Sequence, residues 1–315
     1  MNRISRAIIA SILITSPVLA EEDWIPIWPN LSAESSDEQV ENRDVDQNAK
    51  GLNRSISNVT VPGLSLHLPK LDSSKSAAVI VLPGGGFSRI VVDKEGFDTA
   101  ERLNAEGLAA IVLKYRTWIA SPEDMQEMMV YYRASPDERA KMTRPNPAAR
   151  REAMHMAFMD VQKAVRVVRA HASEWNIDPT KIGVMGFSAG GQYAAAVSMD
   201  HDDGDSTSHD AIQRVSCRPD FAALVYTAID DERATTEAIA TMPPTFIVHA
   251  EDDKLVPVTL TALKLHSAMR KQNLSAELHI YAKGGHGFGL GVQGGAVSGW
   301  PSAFLRWLDD INVIE

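Results

Sequence analysis

The hydroxyl of Ser188 stands in Gly186-Phe187-Ser188-Ala189-Gly190-Gly191, directly after the apolar run Ile182 to Met185 and before the helix-forming Tyr193-Ala194-Ala195-Ala196-Val197. A lone G-x-S-x-G occurs often by chance. A strand running in and a helix running out turn it into a sharp corner that only small neighbours tolerate, with the hydroxyl lifted above a sheet edge. At neutral pH a serine hydroxyl is a poor nucleophile and needs a base to take its proton and an acid to orient that base. In chain order those partners belong after later strands. Past Glu277 to Tyr281 lies Gly284-Gly285-His286-Gly287-Phe288-Gly289, where His286 has little to pack against and reads as the base. Past Thr245 to His249 stand three adjacent carboxylates, Glu251, Asp252 and Asp253. Asp253 is the preferred acid, and its neighbours are expected to be solvated or to cap the following helix. Attack on a carbonyl also develops an oxyanion. Leu82-Pro83-Gly84-Gly85-Gly86-Phe87 follows an apolar strand and offers backbone donors, so the amide of Ala189 and that of Gly85 or Gly86 are the expected pair.

The elements that must carry these residues are legible as a rhythm. Leu64 to Leu68 alternates as a strand, and Ala77 to Leu82, Leu108 to Tyr115, Phe221 to Tyr226 and the three runs named above read as further strands. Helical period appears in Gly96 to Ala105, Met159 to Trp175 and Leu260 to Lys271. Apolar strands alternating with helices imply an α/β fold, a mainly parallel doubly wound sheet with helices on both faces and its chemistry at the carboxyl ends of the strands. The segment 118–151, divided by Pro122, Pro136, Pro145 and Pro147, reads as a helical, lid-like insertion near the active site. Asp200 to Asp210 is acidic but lacks the spacing of a calcium loop, so a solvated connection is expected. Phe87, Trp118, Phe187, Tyr226 and Phe288 are candidate walls of a substrate pocket.

The chain has 315 residues, 44% of them hydrophobic, and a formal net charge of -10, which disfavours nucleic acid as a partner. Arg3 and Arg6 precede an apolar segment from Ala7 to Ile14, and Val18-Leu19-Ala20 presents small residues where a signal peptidase reads, so 1–20 is expected to be a cleaved signal peptide and the mature chain to be periplasmic or secreted, without stable membrane insertion. Residues 21–50 read as a polar arm whose Trp24 and Trp28 pack on the body, and 51–315 as the catalytic domain. Cys217, the single cysteine, is expected to be a buried bystander.

With these motifs in place the chain resembles the α/β-hydrolase superfamily, and within it the exported esterases of the dienelactone-hydrolase-like and acetylxylan/feruloyl esterase group. The resemblance runs from about Leu64 to Leu308. It rests on LPGGGF at 82 to 87, VVDKEG at 91 to 96, VLKYR at 112 to 116, the run from Asp160 to Gly191, RPDFAALVY from 218 to 226, HAEDDKLVP from 249 to 257 and GGHGFG from 284 to 289. It implies hydrolysis of carboxylic esters through an acyl-enzyme, often on acetyl or feruloyl groups of carbohydrate, with no metal or organic cofactor, and it implies Asp253, ahead of Val256-Pro257, as the acid. Three departures bear on the pocket: Pro83 stands where lipase-like relatives open this loop with histidine, Thr227-Ala228 replaces a Pro-containing turn common after this strand, and the 118–151 insertion is long. A prolyl-oligopeptidase-type peptidase and a catalytically inert carbohydrate-binding protein on the same fold are the rival readings.

Overall fold

A computed structural model describes residues 24–31, 39–42, 53–70, 75–139 and 141–314. The expected signal segment 1–20 lies outside them, as does most of the arm. In chain order the strands are β1 (Ile25–Pro26), β2 (Gln39–Asn42), β3 (Arg54–Ser57), β4 (Gly63–His67), β5 (Ser76–Leu82), β6 (Arg89–Ile90), β7 (Ala109–Lys114), β8 (Ile177–Phe187), β9 (Ala222–Val225), β10 (Thr245–Ala250) and β11 (Ala276–Tyr281). Eight of them form one sheet in the order β1-β4-β7-β5-β8-β9-β10-β11, parallel from β7 to β11 and antiparallel where β4 meets β1 and β7. Antiparallel β2, β3 and β6 make a small second sheet.

The helices are α1 (Asp98–Asn104), α2 (Pro122–Arg133), α3 (Pro136–Arg139), α4 (Pro147–Ala170), α5 (Ala189–Met199), α6 (Thr236–Ile239), α7 (Ala262–Lys271) and α8 (Trp300–Asp310). The alternation of side chains along β5 shows how the sheet divides the core. Ala78, Ile80 and Leu82 join the cluster with Val161 and Val165 of α4, Ala194 of α5 and Leu265 of α7. Ala77, Val79 and Val81 join the cluster with Leu103 of α1 and Trp300, Phe304 and Trp307 of α8. Helices therefore cover both faces, and each large apolar side chain so buried contributes about 1.5–3 kcal/mol.

Trp24 and Trp28 pack on the body as expected: β1 pairs with β4, Trp24 lies under Lys114 Nζ at 5.2 Å, and Trp28 Nε1 donates to Asp160 at 2.7 Å. Two features differ from the reading of the sequence. The insertion has no end at residue 151, because α4 runs unbroken from Pro147 to Ala170 and carries the last turns of the insertion into the core. Ahead of α1, a π-helical turn, Val92–Phe97, buries Asp93 and Glu95, which no periodicity announces. The insertion has its own small core of Trp118, Met128 and Ala153, and α2 opens on a capping box between Ser121 and Asp124. In the acidic loop, Asp202 pairs with Arg166 beside buried Cys217, and Asp205 and Asp210 accept from backbone amides two residues on. No helix among the described residues is long and apolar enough to cross a membrane.

Asp160 holds the arm, β7 and α4 together. Fully buried, its carboxylate accepts from Trp28 Nε1 and from the Arg116 backbone amide and guanidinium. Asp160→Ala strands these donors in the interior and is expected to cost about 3–5 kcal/mol in urea unfolding. A loss below about 1 kcal/mol, the range of surface pairs, would show that the arm is held otherwise.

Candidate active site

The site is assembled at the carboxyl ends of the parallel strands. β8 delivers Ser188, which sits at φ 51 and ψ −114, a strained corner before the first residue of α5. Close approach explains the glycines around it: a Cβ on Gly190 would lie 2.0 Å from Leu82 O, so only glycine lets α5 start this near β5. The corner is pinned by the Ser188 amide, which donates to Val225 O at 3.0 Å.

The loops after β10 and β11 bring the other two groups to the serine. Ser188 Oγ is 2.8 Å from His286 Nε2, and His286 Nδ1 is 2.7 Å from Asp253 Oδ2. Because a carboxylate can only accept, Nδ1 carries the proton and Nε2 is left to take one from the serine hydroxyl. Asp253 is saturated: Oδ1 accepts from the amides of Leu255 and Val256, and His249 Nε2 stands 3.2 Å from Oδ2. Burial alone pushes this carboxyl up. The hydrogen bonds from His249 and His286 outweigh it and hold Asp253 well below the usual carboxylate range, so it stays ionised.

The neighbouring carboxylates fall into different roles. Glu251 is exposed. Asp252 neither caps a helix nor faces solvent freely. Its Oδ1 accepts from the amides of Gly284 and Gly285 at 3.0 and 2.7 Å, which latches the loop that presents His286 and lowers the Asp252 pKa. Gly85, Gly86 and Ala189 line the same cavity as Ser188, and none of their amides donates to an acceptor among the described residues. Peptide donors at a cavity wall without protein partners are suited to a developing oxyanion. Gly85 and Gly86 take φ of 140 and 66, so the turn itself requires glycine.

A cavity of about 430 Å³ opens over Ser188. Of the five candidate wall residues only Phe87 lines it. Trp118 is taken up by the core of the insertion, and Phe187 and Tyr226 are fully buried beneath the strand ends. Phe288 packs on Tyr226 at 4.5 Å and borders a neighbouring depression that shares Lys94, His286 and Gly287 with the cavity. Aromatic bulk at strand ends went to packing, and the walls come instead from Tyr131, Tyr132, Arg139 and Arg144 of the insertion.

Three supporting residues escaped the motif logic. Glu95 accepts from the Gly84 amide at 2.6 Å and from Tyr226 Oη at 2.8 Å, and Tyr226 Oη in turn accepts from the Gly289 amide at 3.1 Å. This chain of bonds ties the glycine loop after β5 to the His286 loop. Burial raises the Glu95 pKa against the lowering effect of those two donors. His249 is the third, a buried ring that shares the Asp253 carboxylate. Its position, four residues before Asp253, is visible in the sequence, yet nothing in strand periodicity separates it from core.

This sheet order, with a serine at the corner after β8 and its partners after β10 and β11, defines the α/β-hydrolase fold, and the chain has that fold. The BD-FAE family model matches residues 131–227. An acetylxylan esterase of Xylanibacter ruminicola is 28% identical over 274 residues, 78% of this chain and 48% of that protein. Endo-1,4-beta-xylanase B of Butyrivibrio fibrisolvens is 27% identical over 76% of this chain and 36% of its own length. The chain thus spans about half or less of the curated relatives it matches. Among solved structures, an acetyl ester-xyloside bifunctional hydrolase from Caldicellulosiruptor lactoaceticus superimposes with a TM-score of 0.68 and 28% identity, covering 95% of this chain and 100% of that one. Thermogutta terrifontis esterase 2 with bound propionate shares the fold at a TM-score of 0.59 and 22% identity, covering 88% and 95%.

The two acidic neighbours have separable effects. Asp253→Asn removes the acceptor that sets the His286 tautomer and should lower kcat by about 10^4. Asp252→Asn only loosens the loop, with a loss of about 10- to 100-fold. Steady-state kinetics of both variants on one aryl ester check the order, and equal losses would contradict it. A second expectation concerns Glu95. An acid whose folded-state pKa is raised contributes most to stability below its unfolded value, 4.5, and loses that contribution as pH rises through the raised value. Glu95→Gln stays neutral, so its stability relative to wild type should improve with rising pH in urea unfolding series. A pH-independent difference would mean that Glu95 titrates as in the unfolded chain.

Proposed function

We propose that this chain is an exported serine esterase that removes small acyl groups, acetyl or feruloyl, from carbohydrate. The observation that carries the reading is the aligned Ser188-His286-Asp253 chain facing unspent amides of Gly85, Gly86 and Ala189. His286 Nε2 takes the Ser188 proton as Oγ attacks the ester carbonyl. The amide of Ala189, with that of Gly85 or Gly86, receives the oxyanion, and His286 returns the proton to the departing alcohol. Water then enters, loses a proton to His286 and frees the acid and Ser188. Asp253 stays ionised throughout and stabilises the imidazolium. Support for ester over amide substrates comes from the relatives, since the acetylxylan esterase and the acetyl ester-xyloside hydrolase are named for ester cleavage. Export rests on the charge and small-residue pattern of 1–20.

Hydrolysis of p-nitrophenyl acetate, set against a proline-linked peptide anilide, separates the readings. The ester should be cleaved much faster, and Ser188→Ala should lower kcat by about 10^4 to 10^6. Faster peptide cleavage would make the chain a peptidase. A folded protein inert to both, and unreactive toward a fluorophosphonate, would leave it a binding protein.

A further inference from the structure

The cavity over Ser188 is cationic in a protein whose net charge is -10. Arg89, Lys94, Arg139 and Arg144 line it, against a single carboxylate, Glu95, among the described lining residues. Glu95 is spoken for by Gly84 and Tyr226 at the floor, and burial weakens its tendency to ionise.

Two of the four cations come from the insertion and lack a carboxylate partner among the described residues. Arg139 spends its guanidinium on the carbonyls of Lys254 and Leu255, the loop that carries Asp253, which fixes it across the cavity without neutralising it. Arg144 lies over the Tyr131 ring at 5.1 Å, a contact that orients the guanidinium plane and leaves its N–H groups for an acceptor. Behind this wall Arg150 is 3% exposed, sandwiched between Phe87 and Trp118 at 5.8 and 5.0 Å, and its Nη2 has no partner among the described residues. Tyr132, whose hydroxyl donates to Gly86 O at 3.4 Å, is the point where the charges of Arg150, Arg144 and Arg89 converge, each opposing the upward push of burial on its pKa. Arg139 and Arg144, with no carboxylate partner among the described residues, attract an anion into this cavity, because its low-dielectric walls strengthen each interaction.

We propose that the insertion side of the cavity, centred on Arg139 and Arg144, is a carboxylate-binding subsite, and that the preferred ester is carried by an acidic carbohydrate, an acylated oligosaccharide bearing a uronic acid. The proposal rests on the esterase reading for its acyl group and on the subsite alone for its anion. The planar Arg144 guanidinium permits paired hydrogen bonds with a planar carboxylate while Arg139, held on the Lys254 and Leu255 carbonyls, adds its charge, so the subsite selects a carboxylate over a hydroxymethyl at the same sugar position.

The test uses acetylated oligosaccharides with a glucuronic acid branch and the same compounds after reduction of the carboxyl to the alcohol. Wild-type kcat/KM should favour the acid by about tenfold, the ratio for one good charged contact. The preference should shrink when salt is raised to about 0.5 M. In the double variant Arg139→Gln, Arg144→Gln the ratio should fall toward one, and because both substrates are read on one preparation, partial misfolding does not alter it. Equal rates on the two substrates in wild type, or a preference unchanged in the double variant, would overturn the subsite. Calorimetric titration of Ser188→Ala with the deacetylated acidic and reduced oligosaccharides reads the subsite without hydrolysis. Tighter binding of the acid there, with no ester cleaved by wild type, would sink the esterase reading and uphold the subsite; equal binding would sink the subsite.

Discussion

One backbone corner governs the rest of the architecture. Ser188 holds φ 51 and ψ −114 because β8 ends against β5 and β9 while α5 begins within contact of Leu82 O. Such a conformation costs about 1–3 kcal/mol and persists only where the surroundings over-determine it. Here they do so through the Gly190 approach to β5 and the Ser188 amide bond to Val225 O. The corner sets the hydroxyl above the sheet, brings Ala189 to the cavity wall, and thereby fixes where His286 and the glycine loop have to be.

Around that corner the polar network is built in two tiers. The inner tier is the Ser188-His286-Asp253 line. The outer tier holds its members still: Asp252 grips the His286 loop, His249 shares the acid, and Glu95 with Tyr226 joins the loop after β5 to the loop after β11. The Glu95–Tyr226 and His249 contacts spend buried donors or acceptors that would otherwise be costly, so the same bonds serve stability and orientation. The insertion adds a different property. Its arginines give the cavity a sign opposite to that of the whole protein, which makes the mouth the place where an acidic substrate is concentrated.

What the sequence revealed and what it hid follow a physical line. Strands such as Ala77 to Leu82, found as Ser76–Leu82, are legible because burial on both faces leaves an unbroken apolar run. Ser188 and His286 are legible because small residues crowd a functional group with no packing use for them. Asp253 was preferred to Asp252 on the logic of one oriented carboxylate, the resemblance pointed the same way, and the geometry places it against His286. The aromatic walls failed because Phe187, Tyr226 and Trp118 are as useful to a core as to a pocket, and composition carries no direction. Glu95 was invisible because its meaning lies in Gly84 and Tyr226, which are distant in the chain. The end of the insertion was misplaced because α4 continues its period straight through residue 151.

The central claim is that Ser188 carries the acyl group between two half-reactions. Acid quench of the protein during steady-state turnover of p-nitrophenyl acetate, followed by peptide mass mapping, reads this directly. The account predicts the mass of one acetyl group on the peptide that contains Ser188. Acetyl on another residue, with Ser188 unmodified while turnover proceeds, would contradict it.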